Sequence, residues 1–140
     1  MRLSVTTPRG SLVDTEVDEL SAPGVLGEFG VLPGHVPFLS ALKPGVFVYR
    51  QKSEARVLAV SDGILEVVRA EGGDKVLVLV SDATGAEEID RAAATQEVAH
   101  ADAELAKWSK DLGGEYKALL NRRAWAAARV DAAGRVNAGH

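Results

Sequence analysis

The feature that most constrains this chain is a change in the spacing of its apolar residues after Ser81. Before that point, apolar and polar side chains alternate in short runs, and a period of two is typical of strands. After it, the sequence is alanine-rich and follows helical spacing. We therefore predict a β domain over residues 1–84 and a helical domain over residues 85–140. A chain cut after about Ser81 is expected to keep a folded β domain.

The first 84 residues contain short β-rich runs that turn residues separate. The clearest runs are residues 45–50, 56–60, 64–68 and 76–80, and the turns include Pro-Gly, Asp-Gly and Gly-Gly-Asp sequences. Strands that recur about every 8–12 residues predict a mainly β N-terminal sandwich or a barrel. Because residues 76–80 are apolar at every position, we predict a strand that is buried on both faces.

Two helices are predicted in the remainder, forming a C-terminal helical hairpin. The sequence Thr84-Gly85-Ala86-Glu87 has the form of a capping box, which predicts that the first helix begins there and continues to about Lys110. Residues 111–114 end in two glycines and are expected to break it. The second helix is predicted from Glu115 to about Ala133, with residues 135–140 frayed.

Charges are segregated along the helical part. Residues 85–112 carry seven acidic and three basic side chains, whereas residues 113–140 carry two acidic and five basic ones. This pattern predicts two helices that pair with each other, or that separate and bind other partners. The net charge of −4 argues against a general nucleic-acid binder.

Several classes of protein are disfavoured by what the sequence lacks. The absence of cysteine excludes a disulfide scaffold, a thiolate metal site and a cysteine nucleophile. No apolar run approaches the roughly 20 residues that span a bilayer, and we expect no signal peptide. No phosphate-loop, H-E-x-x-H or G-x-S-x-G motif is present. We therefore predict a protein that is not an enzyme, without a metal site because its three histidines are scattered.

One segment carries a family resemblance. Residues 27–45 read G-E-F-G-V-L-P-G-H-V-P-F-L-S-A-L-K-P-G, and residues 63–67 read G-I-L-E-V. These spacings resemble the signature of epsilon subunits of F-type ATP synthases of the bacterial type. The resemblance covers roughly residues 2–133, including the order of a β domain and two helices.

The resemblance implies a function. Such a chain is a central-stalk subunit that couples the c-ring to the gamma shaft during proton-driven ATP synthesis and makes or breaks no bond itself. Its mobile C-terminal helices inhibit ATP hydrolysis when they extend. The implied partners are the gamma subunit, the c-ring and the catalytic alpha and beta subunits, with no nucleic acid. The implied location is the cytoplasmic face of the bacterial plasma membrane, reached only through the complex; a plastid origin stays open.

The resemblance also implies two sets of site residues. The expected interface with the c-ring and gamma comprises Glu28, Gly30, Pro33, Gly34, His35 and Pro37. The expected inhibitory basic helix carries Lys117, Arg122, Arg123 and Arg129, of which Arg122 and Arg129 share a helix face. The simpler alternatives are turn-forming residues with a locally hydrogen-bonded His35, and a solvated basic surface.

A nucleotide motif of some family members is incomplete here. Those members bind ATP between the two helices through I/L-D-x-x-R-A, followed later by R-A-x-x-R. This chain has Ile89, Asp90 and Arg91, but alanine at position 93 and at position 127, where the motifs have arginine. Arg91 is displaced by two residues, about 200° around a helix, and only Arg123 remains of the second motif. A triphosphate needs several convergent cations, so we expect no tight ATP site and no cofactor.

One alternative function remains open. The chain could be a free-standing module whose β domain binds a small ligand and whose helices form a tail. Such a module would work without partners, so co-purification with gamma and the c-ring distinguishes the two readings.

Overall fold

A computed structural model describes residues 1–138. Ten strands precede two helices, which confirms the predicted fold class. The strands are β1 (Arg2–Thr7), β2 (Gly10–Glu16), β3 (Glu19–Gly24), β4 (Gly27–Val31), β5 (Phe38–Leu42), β6 (Gly45–Gln51), β7 (Glu54–Val60), β8 (Gly63–Ala70), β9 (Gly73–Val80) and β10 (Ala83–Gly85). A 3-10 turn at Ala86–Glu88 leads to α1 (Arg91–Ala106) and α2 (Gly114–Ala138).

The strands form one continuous sheet that folds over itself. Their order is β10-β7-β6-β3-β5-β8-β9-β1-β2, and β4 pairs with β3 outside this path. The pairs are antiparallel except β1 with β9. Strands β3 and β5 meet only where Gly24 pairs with Leu42. The sheet passes there from one layer of the sandwich to the other.

The space between the layers is filled by alternating apolar residues. Leu3 and Val5 of β1, Phe47 of β6 and Leu65 of β8 are completely buried and belong to one cluster. Each large side chain buried in this way contributes about 1.5–3 kcal/mol. Because close-packed interiors deform little, the sandwich is the rigid part of the molecule.

Strand β9 differs from its prediction. Val76, Val78 and Val80 are buried, but Leu77 is 38% exposed and Leu79 is 52% exposed. The prediction of a strand covered on both faces was therefore wrong. The apolar run has an outward half that nothing in the described chain covers.

The first helix begins later than its prediction. Thr84 lies in β10, where it pairs with Ala59 of β7, so the expected capping box does not form. The N-cap is Asp90, whose side chain accepts a hydrogen bond from Ala93 N at 3.1 Å. Pairing with the sheet thus overrides the local capping signal. It also makes β10 part of the sandwich, so a cut after Ser81 would remove a strand.

The second helix continues beyond its predicted end. It passes through Gly134 to Ala138 instead of ending near Ala133, and residues 139 and 140 lie outside the described residues. A Cβ at Gly134 would lie 3.0 Å from Arg91 Nη2. Gly134 therefore allows the two helices to approach closely and does not end the helix.

Candidate interaction surfaces

The sandwich has two ends, which the turns define. At the Gly63 end, Leu42 pairs with Gly63, and Gly63 pairs with Val80. At the opposite end, the Asp74 end, the β8–β9 hairpin turns at Gly72 and Gly73. The residues predicted to contact the c-ring and gamma are located below relative to these two ends.

The predicted interface residues do not form one patch. Glu28 is exposed and lies at the Gly63 end, since β4 begins where Gly27 pairs with Gly24. The Pro33-Gly34-His35 loop lies at the Asp74 end, because Gly34 N donates to Asp74 Oδ2 at 2.7 Å. Strand β4, which contains Gly30, runs between them. The residues predicted to contact the c-ring and gamma thus lie at both ends of the sandwich and along the strand between them.

An apolar tip accompanies Glu28 at the Gly63 end. Val25 is exposed, and Leu26 is fully exposed in the β3–β4 turn. Two apolar side chains in water beside a carboxylate are typical of a contact surface. The sequence named Glu28 but missed its two apolar neighbours, although adjacent Val and Leu in a turn were a usable signal.

The loop at the Asp74 end is held by its own contacts. Gly34 has φ +84°, a conformation that glycine adopts without strain. His35 Nδ1 lies 2.8 Å from the Val36 carbonyl oxygen, and the His35 ring lies 4.9 Å from the Phe38 ring. Pro37 is exposed beside them. These contacts hold the loop in place, and His35 remains half-exposed.

A third surface is the outward face of β5, β8 and β9. Leu39, Ile64, Leu77 and Leu79 are exposed there. Ile64 pairs with Leu79 across the strands, and Glu66 pairs with both Leu39 and Leu77. We call these four apolar residues the outer β face. An exposed, largely apolar face of this kind is typical of a protein–protein interface.

The helices lie against the opposite layer. Ala132 of α2 is completely buried with Val46 of β6 and Ala59 of β7, and Trp125 packs at the edge of this cluster. Helix α1 packs mainly on α2, so α2 lies between α1 and the sheet. The helices are therefore docked on the sheet, with alanine and valine side chains at the centre of the contact.

The expected basic residues of α2 face acidic residues of α1. Arg123 Nε donates to Asp102 Oδ1 at 2.6 Å, which raises the pKa of Arg123. Arg129 forms a bidentate ion pair with Glu97 and lowers the pKa of that carboxyl. Lys117 is exposed near the start of α2. The segregated charges of the sequence thus meet across the hairpin.

Two further features surround these ion pairs. Arg122 Nη1 lies 4.0 Å from Glu104 Oε1, a looser contact. The Arg129 guanidinium lies 5.1 Å from the centre of the Trp125 ring, and its side chain is only 19% exposed. Arg129 is therefore the most enclosed of the basic residues that the resemblance singled out.

The residues of the degenerate nucleotide motif are dispersed. Ile89 packs against the Ala132 cluster, and Asp90 caps α1. Arg91 lies against Gly134, whereas Arg123 pairs with Asp102. Asp102 is eleven residues beyond Arg91, about 16 Å along the helix axis. The structure thus does not bring Arg91 and Arg123 together.

The Asp74 end also contains a cavity of about 680 Å³, lined by Arg2, Asp14, Glu16, Glu71 and Lys75 among others. Several of its charges already have partners: Arg2 Nε donates to Asp14 Oδ1 at 2.9 Å, and Glu16 Oε2 lies 3.4 Å from the N-terminal nitrogen. Ligand sites are mostly apolar with a few convergent polar groups. The cavity does not have that character.

Comparison with known proteins gives a consistent result. Residues 1–86 match the family model "ATP synthase, Delta/Epsilon chain, beta-sandwich domain". An ATP synthase epsilon chain of Syntrophotalea carbinolica is 40% identical over 135 residues, which cover 96% of this chain and 94% of that protein. The epsilon chain of Geobacter sulfurreducens is 41% identical over 111 residues, covering 79% and 78%.

Solved structures share the fold. A chain in the Euglena gracilis mitochondrial ATP synthase matches with a TM-score of 0.69 and 20% identity, covering 98% of this chain and 79% of that one. A chain in the central stalk and c-ring structure of the Tetrahymena thermophila enzyme matches with a TM-score of 0.64 and 17% identity, covering 95% and 96%.

Proposed function

Because this chain belongs to the ATP synthase epsilon-chain family, as its match to the family model and its 40% sequence identity to an epsilon chain show, we propose that it is a non-catalytic subunit of the central stalk. The observation that carries the proposal is the 40% identity over 96% of the chain, which includes both the sandwich and the helices. In this role the subunit connects the gamma shaft to the c-ring, and the whole complex uses a proton gradient to make ATP.

The sandwich acts as the bridge in this proposal. The outer β face, with Leu77 and Leu79 exposed to water, docks on gamma. The tip at the Gly63 end, with Leu26 and Glu28, contacts the polar loops of the c-ring. Since the two surfaces belong to one close-packed body, a force applied at one is transmitted to the other with little deformation.

The helices act as the regulatory part. In the docked arrangement the complex turns over freely. When the helices leave the sandwich and extend along gamma, Lys117, Arg122, Arg123 and Arg129 bind acidic side chains of the catalytic subunits and obstruct ATP hydrolysis. Ion pairs between arginine and carboxylates suit this contact because they can be bidentate.

The location follows from the partners. No helix among residues 1–138 is long and apolar enough to cross a membrane. We propose that the chain is a peripheral component at the cytoplasmic face of the bacterial plasma membrane, held there by gamma and the c-ring.

Purification from native membranes tests this function. An affinity tag on gamma should recover this chain and the c-ring in fixed proportion after detergent extraction. Introducing Leu77→Asp with Leu79→Asp should release the chain from that complex, whereas Glu54→Ala, at the exposed first position of β7, should not. Recovery of gamma and the c-ring without this chain would contradict the proposal and favour a free-standing ligand-binding module.

A further inference from the structure

The arginines assigned to inhibition are already occupied in the docked structure. Each faces a carboxylate of α1: Arg129 pairs with Glu97, Arg123 with Asp102, and Arg122 with Glu104. No other acidic residues lie in α1 within its described bounds, Arg91–Ala106. The whole acidic complement of α1 is thus directed at the basic residues of α2.

The spacing of the two sets is matched. Glu97 and Glu104 are seven residues apart on α1, and so are Arg129 and Arg122 on α2. Seven residues are close to two helical turns, so each pair shares one face of its helix. The helices are antiparallel, and therefore the first carboxylate meets the last arginine.

We propose that α1 is a charge mask: its three carboxylates occupy the α2 arginines and so oppose the inhibition that these arginines cause. This inference rests on the proposed regulatory function. A guanidinium that is held by Glu97 or Asp102 is not free to form the same bidentate contact with another subunit. The α2 arginines must therefore leave α1 before they can bind the catalytic subunits.

Arg129 shows why the mask also affects docking. Its side chain is largely enclosed, and its Nε has no hydrogen-bond partner among the described residues. Glu97 supplies the compensating charge through two hydrogen bonds. Without that carboxylate, the enclosed arginine would be unpaired, a situation that disfavours the docked arrangement.

The size of the effect follows from the exposure of the pairs. An exposed ion pair changes an equilibrium about 1.4- to 5-fold. Removing all three carboxylates should therefore raise the ratio of released to docked helices at least about threefold. Under the proposed function, a shift toward released helices whose arginines are intact strengthens inhibition.

The test compares three variants in the assembled complex. The first, Glu97→Gln with Asp102→Asn and Glu104→Gln, removes the mask. The second, Arg122→Ala with Arg123→Ala and Arg129→Ala, removes the masked cations. The matched control, Glu87→Gln with Glu88→Gln and Glu115→Gln, changes the charge equally at exposed residues outside the three pairs.

Both helix variants should loosen the hairpin, but they should affect hydrolysis oppositely. We expect the carboxylate variant to raise the ratio of inhibited to active complexes at least about threefold. The arginine variant should lower this ratio, and the control should leave it unchanged. The reference for full activity is a complex whose chain ends after Glu88.

Hydrogen exchange in the isolated full-length chain separates the inference from the function on which it rests. The α1 amides of the carboxylate variant should exchange at least about threefold faster, while sandwich amides are unchanged. Unchanged α1 exchange would overturn the mask. Faster exchange together with hydrolysis that neither helix variant alters would overturn the proposed inhibition by α2 and, with it, the regulatory role of the mask.

Discussion

The sandwich and the helix pair are stabilised in different ways. Phe47 and Leu65 fill the sandwich core and are completely shielded from water. The helices dock through a cluster of alanine and valine side chains around Ala132 and Ala59, with Trp125 at its edge, and ion pairs join α2 to α1. An alanine buries far less area than a phenylalanine, and an exposed ion pair contributes only about 0.2–1 kcal/mol.

This difference indicates which part can move. A sandwich with large interdigitated side chains resists local opening, whereas a helix pair with small contacts can be released by a few kcal/mol. Reversing a two-state population from 1:99 to 99:1 takes about 5.5 kcal/mol. Ion pairs between the three α2 arginines and acidic partners would together supply up to about 3 kcal/mol, which shifts such an equilibrium substantially without reversing it alone.

The largest expected effect contrasts two buried residues. Phe47→Ala should lower the unfolding free energy of the sandwich by about 3–5 kcal/mol, because it leaves a cavity in the core. Leu119→Ala, at a buried position of α2, should instead increase hydrogen exchange in the helices and leave the sandwich amides protected. Urea unfolding combined with hydrogen exchange measures both. Equal loss of protection throughout the chain in both variants would contradict the division into two parts.

The second effect concerns the outer β face. Leu77→Asp combined with Leu79→Asp should weaken binding to gamma by about 0.5–1.5 kcal/mol for each side chain, since roughly half of each remains to be buried. The stability of the isolated chain should change by only about 0.5 kcal/mol per site, since both positions are exposed. Titration of purified gamma measures the affinity, and Glu71→Ala is the surface control. Unaltered affinity would assign the gamma contact to another surface.

A smaller effect is expected at the junction of the two parts. The pKa of Asp62 is lowered mainly by a hydrogen bond from Ser81 Oγ, with Ser61 and Asn121 of α2 contributing. A folded-state pKa below the unfolded value of about 3.9 stabilises the chain above that pH, and the contribution is lost as the pH falls through the lowered pKa.

We therefore expect Asp62→Ala to reduce the unfolding free energy by at most about 0.5 kcal/mol at pH 7, because water screens the exposed carboxylate, and by progressively less below about pH 4. Urea unfolding across this pH range is the measurement, with Glu71→Ala as an exposed carboxylate control. A difference that does not vary with pH would show that the charge of Asp62 has no part in the junction.

The last prediction is that ATP does not bind measurably to the isolated chain. Arg91 and Arg123 lie on different parts of the hairpin, so the described helices offer no convergent set of cations at this motif. Calorimetric titration of the isolated chain with ATP at physiological concentrations should show no saturable binding. Saturable binding would contradict this prediction and would indicate that a bound ligand, and not only the contacts between the helices and the sandwich, holds the helices docked.

The sequence predicted the architecture because its apolar residues recur with the strand period of two before Ser81 and with helical spacing after it. Alternation around Leu65 and Val67 predicted strands, and the charge segregation predicted that the helices pair. Two local signals misled because tertiary pairing outweighs them. Thr84 joins a strand of the sandwich, and Gly134 admits the neighbouring Arg91 within a continuous helix.

The candidate surfaces were predicted less completely. The motif named Glu28 and His35, but proximity in sequence gave no indication that the sandwich separates them by its own length. Because successive side chains of a strand point to opposite faces, the sequence could have shown that Leu77 and Leu79 share a face. Only the position of β9 in the sheet decides that this face is exposed. Likewise, the individual ion pairs depend on the register of the two helices, which alanine packing determines.

The central claim is that the sandwich supports assembly and the helices only regulate. It is tested most directly by purifying the synthase with this chain ending after Glu88, which retains β10, and measuring subunit content and ATP hydrolysis. We predict that gamma, the c-ring and the shortened chain stay together and that hydrolysis is faster than, or equal to, that of the full-length complex. Loss of the shortened chain from the complex, or slower hydrolysis by an intact complex, would contradict the account.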